Sequence, residues 1–158
     1  MNPTIDTVKP AAQLDVLHFP LDGSHLIEAS AGTGKTFTIA LLYVRLVLGH
    51  GRSELHAQGL TPPEILVMTF TEAATQELRD RIRKRLTEAA EYFRKSADDV
   101  SALPNGEDLL HDLRAEYPPE QWALCARKLQ LAAEWMDEAA VSTIHAWCYR
   151  MLREHAFD

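Results

Sequence analysis

Along this chain, short continuous apolar runs alternate with stretches in which apolar residues recur every three or four positions. His25-Leu26-Ile27-Glu28 reads as a strand over about 25–29, and Phe37-Thr38-Ile39-Ala40-Leu41-Leu42 opens a helix over about 35–48, stopped by Gly49 and Gly51. After Pro62-Pro63 the run Ile65-Leu66-Val67-Met68-Thr69-Phe70 predicts a strand buried on both faces, as in a parallel sheet. Ala74, Leu78, Ile82, Leu86, Ala89 and Phe93 then mark one face of a helix over about 72–95, with Glu77–Arg81 and Asp80–Lys84 as favourable pairs one turn apart. Residues 96–119 break the rhythm at Pro104-Asn105-Gly106 and Pro118-Pro119. A helix over about 120–137, a strand over 140–143 and a last helix over 144–155 follow, the last with Ile144, Cys148, Met151 and Leu152 on one side. Strand–loop–helix units joined by crossovers predict an α/β domain: a parallel sheet flanked by helices. The expected organisation is a leader and approach at 1–24, a first sheet segment at 25–85, a helical insertion at 86–138 and a return to the sheet at 139–158.

Composition narrows the class without naming a function. The 158 residues are 46% hydrophobic and 25% charged, enough for one folded core. The longest apolar stretch, Ile39 to Leu48, is interrupted by Arg45 and falls short of the roughly 18 residues that span a bilayer. Met1 to Leu14 has neither a basic start nor an apolar signal core, so a cytoplasmic location with no membrane partner is expected. Cys125 and Cys148 are far apart, which predicts no disulfide framework. His145 and Cys148, three apart, are expected half in the core rather than on zinc. The net charge of −7 argues against a protein that coats nucleic acid nonspecifically. Five basic residues crowd the seven from Arg79 to Arg85, and a solvated, internally paired helix face accounts for most of them.

The octapeptide Ala29-Ser30-Ala31-Gly32-Thr33-Gly34-Lys35-Thr36, between strand and helix, carries the chemistry. This is the layout of a P-loop. Gly32 and Gly34 let the backbone approach phosphate oxygens, the loop N–H groups form a nest, and the helix start adds partial positive charge. Lys35 is spaced to reach the β- and γ-phosphates of ATP and Thr36 to offer its hydroxyl to Mg²⁺; these two are the expected catalytic pair, and Ala29 to Phe37 the nucleotide-binding set. Ala29 stands where the commonest pattern has glycine. That position shapes the turn, whereas the phosphate contacts come from the residues after it.

Three segments together resemble a family: the octapeptide, Val67-Met68-Thr69-Phe70-Thr71-Glu72-Ala73-Ala74-Thr75-Gln76-Glu77-Leu78-Arg79-Asp80-Arg81-Ile82, and Val141-Ser142-Thr143-Ile144-His145-Ala146-Trp147-Cys148. Their order resembles motifs I, Ia and T-x-H of the UvrD/Rep-type superfamily 1 DNA helicases. Leu26-Ile27-Glu28-Ala29-Ser30 before the loop, Phe37-Thr38-Ile39 after it, and Met136-Asp137-Glu138-Ala139-Ala140-Val141 leading into Thr143-Ile144-His145 look most like the RecB-type helicase–nuclease branch, with the AddA type as competitor. The resemblance implies a RecA-like P-loop ATPase fold, with 25–85 and 139–158 in its domain 1A and 86–138 as a 1B-like insertion. It implies ATP and Mg²⁺ as cofactors, single-stranded and duplex-end DNA as partners, and the other subunits of a RecBCD-like complex. Thr69, Phe70, Thr71, Arg81, Thr143 and His145 match DNA-contacting positions. Hydroxyls suit phosphates, and the Phe70 ring suits a base.

The chain also departs from the family pattern. Asp137-Glu138 follows Glu134-Trp135-Met136 on a predicted helix, so it is not the Walker B acidic pair that ends an apolar strand. The arginine finger and the nuclease domain have no counterpart. Leu17-His18-Phe19-Pro20-Leu21-Asp22-Gly23 holds no glutamine to read adenine. The expectation is an N-terminal portion of a longer helicase–nuclease that binds ATP without hydrolysing it alone. The competing readings are a small P-loop kinase, against which the T-F-T-E-A-A and T-I-H segments argue, and a stand-alone nucleotide-binding module.

Overall fold

A computed structural model of the chain describes residues 14–28, 34–54, 57–100 and 109–156. Helix α1, Lys35–Leu48, starts after Gly34 and ends on Gly49, both left-handed with φ of 77°. The Gly49 N–H reaches back to the carbonyls of Arg45 and Leu46 at 2.9 and 3.3 Å. A side chain at Gly49 would strike the carbonyl of Ala57, where the chain returns along the helix end. A 3-10 turn at Pro62–Glu64 is fixed by Thr61, whose N–H and hydroxyl both donate to Glu64 Oε1, at 2.9 and 2.7 Å. Strand β1, Val67–Thr69, leads into the 23-residue helix α2, Glu72–Arg94, capped by Thr71. Short helices α3, Ala97–Val100, and α4, Leu109–Ala115, precede a 3-10 turn at Pro119–Gln121, helix α5, Trp122–Glu134, and a second 3-10 turn at Trp135–Glu138. Strand β2, Val141–Thr143, runs directly into α6, Ile144–Glu154.

The two strands pair in parallel, Val67 with Val141, Met68 with Ser142 and Thr69 with Thr143. Parallel neighbours need a crossover, and here α2 to α5 supply it. Helix α2 packs against both α1 and α5. Its Leu78, Ile82, Leu86, Ala89 and Phe93 are buried in one core with Leu41 and Val44 of α1 and Leu129 and Ala133 of α5. The predicted apolar stripe is therefore the central seam of the molecule, and α2 runs unbroken through residues 85 and 86.

Several expectations change. Residues 25–28 form no strand: the described sheet holds only β1 and β2, so this segment has no ladder partner among the described residues, and Leu26 is 81% exposed. The 65–70 run is not covered on both faces. Ile65 is buried and Val67 and Thr69 half-buried, whereas Leu66 and Met68 are open. A continuous apolar run reports a strand's composition, but cover on its second face must come from another element, and the described helices supply one side.

The segment 96–119 holds α3 and α4 rather than being wholly irregular; Pro104-Asn105-Gly106 lies outside the described residues. The buried Arg114 ties α4 to the end of α2, donating to the carbonyls of Tyr92 and Lys95 while its guanidinium lies 3.7 Å from the centroid of the Trp122 ring. On α6 no residue is buried, and His145 and Cys148 are exposed instead of half in the core, because nothing described packs on that side of the helix. Cys125, by contrast, is buried, and both thiols are free. The pairs seen on α2 also differ from those predicted. Arg83 binds Asp80 at 3.6 Å and Asp137 at 2.6 Å, and Glu88 accepts from Arg85 at 3.3 Å with Lys84 at 3.9 Å. The turn after α5 brings Asp137 to α2, a contact that no local spacing could reveal.

Candidate functional site

At the start of α1, Ala29 to Thr33 lie outside the described residues, and the site is visible from Gly34 onward. A Cβ at Gly34 would meet nothing nearer than Phe37 Cβ at 3.9 Å. Glycine is needed there for its left-handed backbone, not for space. Gly34 offers no side-chain cap, and the first turn of α1 has no acidic residue. Its leading N–H groups, with Lys35 exposed and Thr36 half-buried beside them, suit an anion. Thr36 supplies one hydroxyl oxygen, and no group of three His, Cys, Asp or Glu side chains among the described residues could hold a metal by itself. A magnesium ion here would take most of its ligands from phosphate and water, as that ion ordinarily does. Phe37 is half open, with Arg85 Cζ 4.8 Å from its ring centroid.

A second constellation lies at the carboxyl ends of β1 and β2. Thr69 and Thr143 are register partners, so the two motif segments emerge side by side. Thr71 Oγ1 accepts from the Ala74 N–H at 3.1 Å, and Thr143 Oγ1 accepts from the Ala146 N–H at 3.0 Å. Both threonines are helix N-caps, each satisfying an otherwise unpaired donor. Thr69 Oγ1 donates to the Thr71 carbonyl at 3.1 Å and also meets Thr75 Oγ1, which stiffens the turn between β1 and α2. Phe70, on that turn, is 89% exposed, and His145 in the first turn of α6 is exposed as well. Two helix N-termini, an open aromatic ring and an imidazole on one edge can hold phosphates and stack a base.

Arg81 is not part of that edge. It lies ten residues along α2 from Thr71, about 15 Å at 1.5 Å per residue. It shares a cavity of about 120 Å³ with Thr36, Phe37, Lys84, Arg85 and Glu88. Asp137 and Glu138 sit in an exposed 3-10 turn rather than at a strand end, Asp137 held by Arg83. A cavity of about 640 Å³ lies elsewhere, between the 58–62 loop and the Lys128–Glu134 end of α5 with Trp135 beyond it.

Sequence reasoning also missed a polar network below α1. Buried Arg45 donates to the carbonyls of Val16 and Phe19 at 2.9 and 2.7 Å and to His50 Nδ1 at 2.9 Å. Glu116 accepts from His50 and, at 2.6 Å, from His18, which also binds Asp15 at 2.8 Å. Hydrogen bonds to Asp15 and Glu116 raise the His18 pKa, whereas burial lowers that of His50. The one sequence signal was Arg45 itself, a charge inside an apolar run.

A family model for the UvrD/REP helicase N-terminal domain matches residues 9–158. The chain is 50% identical over 149 residues to the RecBCD enzyme subunit RecB of Escherichia coli strain K12, covering 94% of this chain and 12% of that protein. It is 43% identical over 154 residues to the RecB subunit of Haemophilus influenzae, covering 91% and 12%. It is 35% identical over 128 residues to that of Mycobacterium tuberculosis H37Rv, covering 81% and 10%. The chain thus spans about an eighth of the length of the first curated relatives it matches. With nearly all of its residues inside the matched region, the chain belongs to the UvrD/REP helicase N-terminal domain family.

Proposed function

We propose that this chain is the ATP-binding front portion of a RecB-type DNA helicase–nuclease subunit. It would act in a RecBCD-like complex that unwinds and degrades duplex DNA ends in recombinational double-strand-break repair. The observation that carries this reading is the pairing of Thr69 with Thr143, which brings two capped helix starts, Phe70 and His145 to one edge. The same chain carries Gly34-Lys35-Thr36 at an uncapped helix start. A RecA-like fold would put the phosphates of ATP against Lys35 and the P-loop N–H groups, and Mg²⁺ on Thr36. Bound Mg²⁺ would draw charge off the phosphate oxygens during transfer.

Each residue has a definite task in that reading. Lys35 holds the β- and γ-phosphates, and the α1 N-terminus adds its dipole. Phe70 stacks a base of single-stranded DNA, while the starts of α2 and α6 hold the flanking phosphates. Asp137 is held by Arg83, and Glu138 shares its 3-10 turn rather than a strand end, so in this reading the pair does not serve hydrolysis and the chain binds ATP without turning it over. A cytoplasmic protein is the matching setting; among the described residues no helix is long and apolar enough to cross a membrane. Titration calorimetry with Mg-ATP on the wild type and on Lys35→Ala tests the nucleotide site. Binding heat lost in the variant supports it, and equal heats overturn it.

A further inference from the structure

The basic run on α2 resolves into separate jobs once partners are assigned. Arg79 donates to the Val141 carbonyl at 3.0 Å. Arg83 is held by Asp80 and Asp137, and Glu88 engages Lys84 and Arg85. Arg81 is exposed and has no hydrogen-bond or ion-pair partner among the described residues. It lines the same cavity as Thr36 and Phe37, where the first turn of α1 faces α2. That cavity, about 120 Å³, has room for part of a nucleotide only, and it opens beside the hydroxyl assigned to Mg²⁺. Its walls are an aromatic ring and three cationic side chains against one carboxylate. The Phe37 ring is fixed on one side by Arg85 and half open on the other.

We propose that Arg81 and Lys84 bind the nucleoside end of the bound nucleotide, at its ribose and α-phosphate, in the cavity between α1 and α2. This rests on the nucleotide-site reading above. It moves Arg81 from the DNA-contacting set, where motif matching put it, to the ATP side of the molecule. The chemistry is that of a nucleoside di- or triphosphate: Lys35 takes the outer phosphates, and the chain of the ligand then runs past Thr36 toward Phe37, where a guanidinium meets the next anionic oxygen. Arg81 can grip such an oxygen with two parallel N–H groups, whereas lysine offers a point charge. Glu88 keeps Lys84 and Arg85 oriented while leaving the wall net positive. Because this wall recognises charge and sugar rather than base edges, it supplies affinity where the approach segment has no glutamine.

The test is a set of titrations of the chain with fluorescently labelled ATP and ADP, using wild type, Arg81→Ala, Arg81→Lys and Lys35→Ala, each checked for helix content by circular dichroism. A parallel titration measures single-stranded oligothymidylate without nucleotide. Arg81→Ala should weaken both nucleotides by about 5–10-fold, the scale of one exposed charge-assisted contact. Arg81→Lys should recover part of that loss, and oligothymidylate affinity should stay within about twofold. Inorganic pyrophosphate, which carries counterparts of the β- and γ-phosphates but neither α-phosphate nor nucleoside, should bind wild type and Arg81→Ala alike. If Lys35→Ala loses binding while Arg81→Ala does not, the nucleotide site stands and this assignment fails. If Arg81→Ala loses oligothymidylate binding alone, Arg81 belongs to the DNA set. If the wild type binds no nucleotide, the functional reading fails and takes this one with it.

Discussion

Replacing Arg45 with methionine tests how the segment before α1 is held. The methionine keeps most of the buried stem and removes three strong donations, to Val16 O, Phe19 O and His50 Nδ1, plus a weaker one to His50 O at 3.4 Å. Hydrogen bonds from a charged donor contribute about 1.5–3 kcal/mol each, so the gross loss is about 4.5–9 kcal/mol. Two effects reduce it. Burial works against the guanidinium, lowering the Arg45 pKa, and the variant escapes that cost of several kcal/mol. Val16 and Phe19 are only half-buried, so water can reach their freed carbonyls. His50 is more enclosed and loses its partner outright. The expected net destabilisation is about 2–4 kcal/mol, a fall in Tm of very roughly 5–15 °C for a chain of this size. Urea unfolding followed by circular dichroism measures it. Amide exchange at Leu17, whose N–H now donates to Asp15 at 3.2 Å, should quicken in step. A variant within about 0.5 kcal/mol of wild type with an unchanged m-value would mean that the network is ornamental and the reasoning wrong.

Other outcomes follow from the same geometry. Thr143→Val keeps the shape of a buried side chain but removes the cap on Ala146, and should cost about 1 kcal/mol in urea unfolding while also weakening oligothymidylate binding; unchanged stability would remove Thr143 from the capping role. Gly49→Ala faces both a positive φ and the Ala57 carbonyl, so it should lower stability by more than about 1 kcal/mol, whereas Gly34→Ala, with open space, should cost only its backbone strain. The two histidines on Glu116 oppose each other with pH. His18, raised, contributes stability that is complete below its unfolded pKa of about 6.5 and is lost as pH rises through its folded value. His50, lowered, contributes stability that is present above about 6.5 and is lost as pH falls through its folded value. His50→Gln should therefore flatten the acid side of the stability profile and His18→Gln the alkaline side. Identical profiles for the two variants would refute the assignment.

Much of the chain is local and was legible in order. Helix α1 between Gly34 and Gly49, helix α2 with its stripe from Leu78 to Phe93, and strand β2 running into α6 are each set by three-residue and four-residue spacing, caps and glycines acting within a few positions. The local geometry of both threonine motifs follows from the same short range, since Thr71 and Thr143 each cap the helix that starts one residue on. What only the tertiary structure decided is which of these meet. The pairing of Thr69 with Thr143 across 74 positions, the salt bridge of Arg83 with Asp137, and the approach of Arg81 to Thr36 all depend on the path of the crossover, which no periodicity encodes. The same holds for cover. The 65–70 run and the face of α6 are apolar by sequence, but whether an apolar surface is buried is a property of its neighbours, and here Met68, Phe70 and Leu152 stand open.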